Sequence, residues 1–135
     1  MTENDAVLAA NLAFYRAFAE RDFAAMEQLW AKTVPVACTH PGWAPLTDRD
    51  DIMESWRAIL ANPDSPRPAC HEEEVFLWGE VALVICAEEL PGNRLTASNL
   101  FVKEDGAWRL VHHHAGPVFM RQETAQRRPP KARLN

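Results

Sequence analysis

The chain has no uninterrupted apolar run near the ~20 residues a membrane-spanning helix needs, so a membrane protein is not expected. It has no Gly-rich phosphate loop and no G-x-S-x-G nucleophile elbow, which removes two common routes to nucleotide and ester chemistry. Cysteine is sparse. Cys38, Cys70 and Cys86 are an odd number and none lies in a C-x-x-C pair, so small buried thiols are expected rather than a disulfide framework or a local zinc knuckle. The first residues, MTENDAVLAANLAFYRAFAERD, open with acids and lack the basic start and apolar core of a signal peptide. A soluble cytoplasmic protein is the expectation.

Positive charge is also scarce over most of the chain. Residues 1–118 carry 9 basic and 18 acidic residues, which argues against nucleic acid as a partner. Residues 119–135 reverse the balance, with Arg121, Arg127, Arg128, Lys131 and Arg133 against Glu123. That segment has too few apolar residues to pack alone and reads as a basic, solvated C-terminal tail. The 135 residues therefore divide into one domain, 1–118, and a tail, 119–135.

What is present reads as helices followed by strands. In DAVLAANLAFYRAFAE (5–20), Leu8, Leu12 and Tyr15 recur at helical spacing, and Thr2 with Asp5 makes a capping box. Asp22 can cap a second helix whose face carries Phe23, Met26, Leu29 and Trp30. VPVACTH (34–40) reads as a short strand running into the loop PGWAPL. Thr47 and Asp50 fit a second capping box, and Ile52, Trp56, Ile59 and Leu60 form the apolar stripe of a third helix that Asn62-Pro63 ends. EEEVFLW, VALVICAEEL, RLTASNLFVK and AWRLVHHHAGPV then follow one another with short turns, an antiparallel meander. Helices segregated from a meander mean an α+β fold, helices against one face of a curved sheet. A cone of that kind has a pocket between its concave face and the helices.

The segments THPGW (39–43), PLTDRDDIMESWRAIL (45–60) and SNLFVKEDGAWRLVHHHAG (98–116), in this order, resemble the nuclear transport factor 2-like superfamily, nearest to its SnoaL-like branch, which includes polyketide cyclases. The resemblance covers about residues 5–118. It implies a cone-shaped α+β barrel of the cystatin-like kind, usually a homodimer formed through the sheet. Members include isomerases, dehydratases, cyclases, hydrolases, transport adaptors and oligomerisation domains. The aspartate-based catalytic set of the isomerases and cyclases has no convincing match here, and histidines stand in the expected pocket.

Strict alternation along WRLVHHHA puts Trp108, Leu110, His112 and His114 on one side of the last strand and His113 on the other. His112 and His114 are thus the candidate catalytic pair, one as base and one holding a substrate oxygen. A two-residue Asp105-Gly106 turn sets Asn99 opposite His112, a three-residue loop sets Ser98 there, and Asn99 is the favoured ligand-binding partner. His40 and Trp43 suit a pocket mouth, and Trp56 a wall. Cys38, His40, His112 and His114 can be written as a zinc set, but the spacing is weak and neither metal nor cofactor is expected. Among the glutamates at strand ends, Glu73 or Glu89 is the candidate for an inward carboxylate with a raised pKa. The readings are a pocket for a small, largely apolar ligand, a cofactor-independent isomerase, dehydratase or cyclase, or an association domain.

Overall fold

A computed structural model describes residues 1–119; the greater part of the basic segment, from residue 120 on, lies outside the described residues. The order is α1 (Glu3–Glu20), α2 (Phe23–Leu29), β1 (Ala37–Thr39), α3 (Arg49–Ala61), β2 (Ala69–Trp78), β3 (Val81–Leu90), β4 (Asn93–Glu104) and β5 (Ala107–Pro117). The sheet runs β1-β5-β4-β3-β2, antiparallel except where β1 joins β5 in parallel. This is the expected α+β cone, with the helices on the concave face.

Local chemistry sets the helix ends. The Thr2 hydroxyl accepts from the Asp5 N–H and the Asp5 carboxylate accepts from the Thr2 N–H, closing the capping box. α3 starts one residue later than the sequence suggested. Its cap is Asp48, which accepts from the Asp51 N–H, so Thr47 lies outside the helix. On α1 the buried stripe is Val7, Asn11, Phe14 and Phe18, with Tyr15 beside it. Leu8 and Leu12 face solvent, Leu12 at 52% exposure, although they share helical spacing with Tyr15. Two stripes one residue apart fit the same period, and sheet packing selects the one that carries the aromatics.

Arg21 ends α1 in the left-handed conformation and turns the chain into α2. Its guanidinium donates to the carbonyl of Asn62 at 2.7 Å and of Ser65 at 2.6 Å. Those bonds pin the loop after α3 against the α1–α2 corner. Asp105 and Gly106 both have positive φ, as a two-residue hairpin turn of the primed type requires, and Glu104 pairs with Ala107.

The decisive irregularity lies on β5. Phe101 pairs with Leu110, but Leu100 pairs with His112, so Val111 is an extra residue. A bulge of one residue reverses the alternation beyond it. Leu110 is buried before the bulge, and His113 and Ala115 after it.

Candidate functional site

The bulge corrects the expected histidine arrangement. His113 is the inward residue, 1% exposed, with its ring 4.9 Å from that of Phe14 and 6.0 Å from that of Trp56. His112 and His114 lie on the opposite face of β5, half-buried and exposed respectively. His112 Nδ1 is engaged by the Ala37 carbonyl at 3.1 Å, as β1 pairs alongside. The strict period-two argument fails because it assumes a regular strand.

Asn99 does meet a histidine, shifted by one residue. It pairs with His113, and the two side chains lie 2.6 Å apart between His113 Nδ1 and Asn99 Oδ1. The Asn99 amide nitrogen donates to Asn11 Oδ1 at 2.9 Å and to the Tyr15 hydroxyl at 3.2 Å. Its Oδ1 is therefore the acceptor, and His113 carries its proton on Nδ1. That leaves Nε2 with a lone pair and no hydrogen bond among the described residues. Burial, helped by His40, His112 and His114, holds the His113 pKa down to about 3, so the ring is neutral at physiological pH.

The carboxylate facing this lone pair is Glu88, rather than Glu73 or Glu89. It is 3% exposed, and its Oε2 lies 3.9 Å from His113 Nε2. β3 is regular here, so Ala82, Val84, Cys86 and Glu88 point inward in turn. The Tyr15 hydroxyl donates to Glu88 Oε2 at 2.6 Å. Burial raises the Glu88 pKa, and the Tyr15 bond opposes part of the rise. Tyr15 is itself pushed far up by burial and by Glu88, and stays a phenol.

His40 is the second buried imidazole. Its Nε2 is 2.9 Å from Ser55 Oγ, and that hydroxyl donates to the Ile52 carbonyl at 2.7 Å. With its one proton spent, Ser55 accepts from His40 Nε2–H. His40 Nδ1 keeps a lone pair; the Cys38 sulfur lies 4.0 Å from it and 3.7 Å from Nε2. Burial holds the His40 pKa down to about 4 and pushes the Cys38 thiol up to about 12. The His40 ring packs edge-on against Trp43 at 4.7 Å and Trp56 at 4.9 Å.

A cavity of about 240 Å³ opens beside these groups. His40, His113 and Glu88 line it, with Phe18, Ile59, Leu90 and Leu95 as apolar walls. Ser65, Pro66 and Pro68 from the loop held by Arg21 close one side. Trp43 lies at its rim, 48% exposed. Trp56 stands behind His40 and His113 as a fully buried wall, and its indole N–H has no hydrogen-bond partner among the described residues. Asn99 stands behind His113 as well. The structure thus brings His40, Trp43, Trp56 and Asn99 to one site, leaves His112 and His114 off it, and adds His113, Glu88, Tyr15 and Asn11.

Cys38 and His40 cannot combine with His112 and His114, which point away from them. Among the described residues no three of His, Cys, Asp and Glu are grouped as metal ligands.

A SnoaL-like domain model matches residues 7–120. The chain belongs to the SnoaL-like domain family. Its solved structural relatives place this SnoaL-like domain within the NTF2-like superfamily. One is a proposed dehydratase of that family from Streptomyces avermitilis, 32% identical, covering 86% of this chain and 96% of the other, with a TM-score of 0.78. Another is a proposed calcium/calmodulin-dependent protein kinase type II association domain from Thiobacillus denitrificans, 30% identical, covering 82% and 94%, with a TM-score of 0.73. A protein of cystatin-like fold from Caulobacter vibrioides, 18% identical with a TM-score of 0.75 over 93% and 95%, shares the fold. Among curated proteins, the F-box protein SKIP8 of Arabidopsis thaliana is 23% identical over 117 residues, 85% of this chain. The chain spans about half the length of that relative, 51%. No helix among the described residues of this SnoaL-like domain is long and apolar enough to cross a membrane.

Proposed function

We propose that this SnoaL-like domain binds a small, largely apolar molecule in the cavity and moves protons on it without a cofactor. The observation that carries the reading is the pairing of a neutral His113 with the buried Glu88 across 3.9 Å. An imidazole lone pair fixed by Asn99 accepts a proton as general base while Glu88, 3.9 Å away, gives up its own and stabilises the imidazolium. A carboxyl whose pKa is raised by burial holds its proton to higher pH than a surface glutamate and is a general acid. Such a pair suits isomerisation, dehydration or cyclisation. In an elimination, His113 Nε2 takes the proton from carbon, the carbon–oxygen bond breaks, and Glu88 protonates the departing hydroxyl to give water. The imidazolium and carboxylate left behind are close enough for the proton to return, which restores both groups. The similarity to a proposed dehydratase supports this reading.

The test is exchange of the proton next to the carbonyl of an uncharged cyclic ketone, followed in deuterium oxide. His113→Gln is expected to slow the exchange about 100-fold or more, while the double variant His112→Gln/His114→Gln keeps it. Equal exchange with wild type and His113→Gln would overturn the catalytic reading and leave ligand binding.

Association is the second reading. Phe76 and Trp78 stack on the outer face of β2, and Trp78 is 58% exposed. Such a patch is suited to a partner sheet, and the relative described as an association domain supports it. A homodimer through the sheet, in a cytoplasmic setting, is part of the proposal. Trp78→Glu is expected to give a monomer in sedimentation equilibrium; an unchanged mass would remove this face from the dimer.

A further inference from the structure

Resting on the cavity reading above, we infer that the ligand is an uncharged ring compound that presents hydroxyl groups, and that the site rejects carboxylates and ammonium ions of the same size. The argument is one of unmet hydrogen-bond capacity. His113 Nδ1–H is taken by Asn99, and His40 Nε2–H by Ser55. Both imidazoles therefore offer the cavity lone pairs rather than protons. Of the other polar residues on the wall, Ser65 and Glu88, it is Glu88 that stands beside His113, and its Oε2 already accepts from Tyr15. A single ligand hydroxyl fits between His113 Nε2 and Glu88 Oε2, since an oxygen at hydrogen-bond distance from each subtends a reasonable angle across 3.9 Å. It donates to the imidazole and accepts from the carboxyl when that is protonated. His40 lines the same cavity and is the partner for a second hydroxyl.

Charge decides the rest. Among the described residues no Lys or Arg lines the cavity. The Arg21 guanidinium, which holds the Ser65 loop at the cavity, is spent on the carbonyls of Asn62 and Ser65. An anion would lose its hydration and face two imidazole lone pairs, with no cationic side chain in the described lining to offset the loss. An ammonium would need Glu88 ionised in an apolar wall, against the burial that raises its pKa. Size sets the ring count. The cavity, about 240 Å³, lies below the ~300–1,000 Å³ of pockets that hold drug-sized ligands, which suits one ring with short substituents.

The experiment uses the full chain and four matched probes: resorcinol, 1,3-difluorobenzene, 3-hydroxybenzoate and 3-hydroxybenzylammonium. Titrations are read by the indole and imidazole ¹⁵N shifts of labelled protein. Resorcinol is expected to bind about tenfold or more tightly than each of the others, because only it satisfies both imidazole acceptors without burying a charge. Its binding should move the Nε2 resonance of His113 and the Nδ1 resonance of His40. Equal affinity for difluorobenzene would overturn hydroxyl selection and leave an apolar pocket. Tighter binding of either charged probe would overturn the neutrality of the ligand. No shift with any probe would overturn the small-molecule cavity itself.

Discussion

On the last strand, three consecutive histidines live in two different worlds. His113 is buried, neutral and tied to Asn99, with one nitrogen facing a cavity; His112 bonds a backbone carbonyl of the neighbouring strand, and His114 faces outward. The chemistry of the side chain is identical in all three. The difference comes from one extra residue, Val111, inserted upstream. A strand's function-bearing face is thus set by its irregularities as much as by its sequence.

The largest mutational effect that would sharpen this contrast is on the helix side of His113. Phe14 touches His113, Tyr15, Trp56 and Phe18, so Phe14→Ala is expected to destabilise by about 3–5 kcal/mol in urea unfolding. Leu12→Ala, one face away on the same helix, should stay within about 0.5 kcal/mol. A similar loss at both positions would contradict the assignment of the buried stripe.

Acid comes next. His113 and His40 have folded pKa values near 3 and 4, below the ~6.5 of an unfolded histidine. Between these values the unfolded chain binds more protons than the folded one, so stability is full above pH 6.5 and falls as pH falls. At 1.36 kcal/mol per unit, the two together remove on the order of 5 kcal/mol by pH 4.5. Glu88 works in the opposite sense. Its raised pKa contributes stability at low pH that is lost as pH rises through the folded value, and so returns part of the loss in acid. Urea midpoints from pH 7 to 4.5 check this, and His40→Gln should flatten the curve. A flat wild-type curve would contradict two buried neutral imidazoles.

Asn99→Leu removes the acceptor for His113 and the donor to Asn11 and Tyr15 together, and is expected to cost about 2–4 kcal/mol by thermal or urea unfolding. Ser98→Ala, its neighbour on the other face of β4, should change little. The smallest effect expected is for His112→Gln/His114→Gln, within about 1 kcal/mol in stability and within twofold in probe affinity. A large loss of affinity there would return the site to the outer face.

Much of the fold was legible because helix stripes and hairpin turns are local. Asp105-Gly106 fixed a two-residue turn, Thr2 and Asp5 a cap, and the run of strands a meander. The site was legible only in its residue types. His40, Trp43, Trp56 and Asn99 were found because aromatic and titratable groups stand out beside a loop or on a strand. His113 was missed because nothing in RLVHHHAG marks Val111 as a bulge. Glu88 was missed for a different reason: the alternation Ala82, Val84, Cys86, Glu88 carried the signal, but a cluster of five glutamates at strand ends looked like a solvated edge. Asn11 and Tyr15 lie on α1 and become site residues only when the helix packs on the sheet, which is a tertiary fact.

The measurement that tests the central claim most directly is a long-range ¹H–¹⁵N spectrum of the histidine rings at pH 6, with and without resorcinol. The account predicts that His113 is the neutral Nδ1–H tautomer and that its Nε2 resonance moves when the probe binds. A protonated His113, or a probe-dependent shift at His112 or His114 with none at His113, would contradict it.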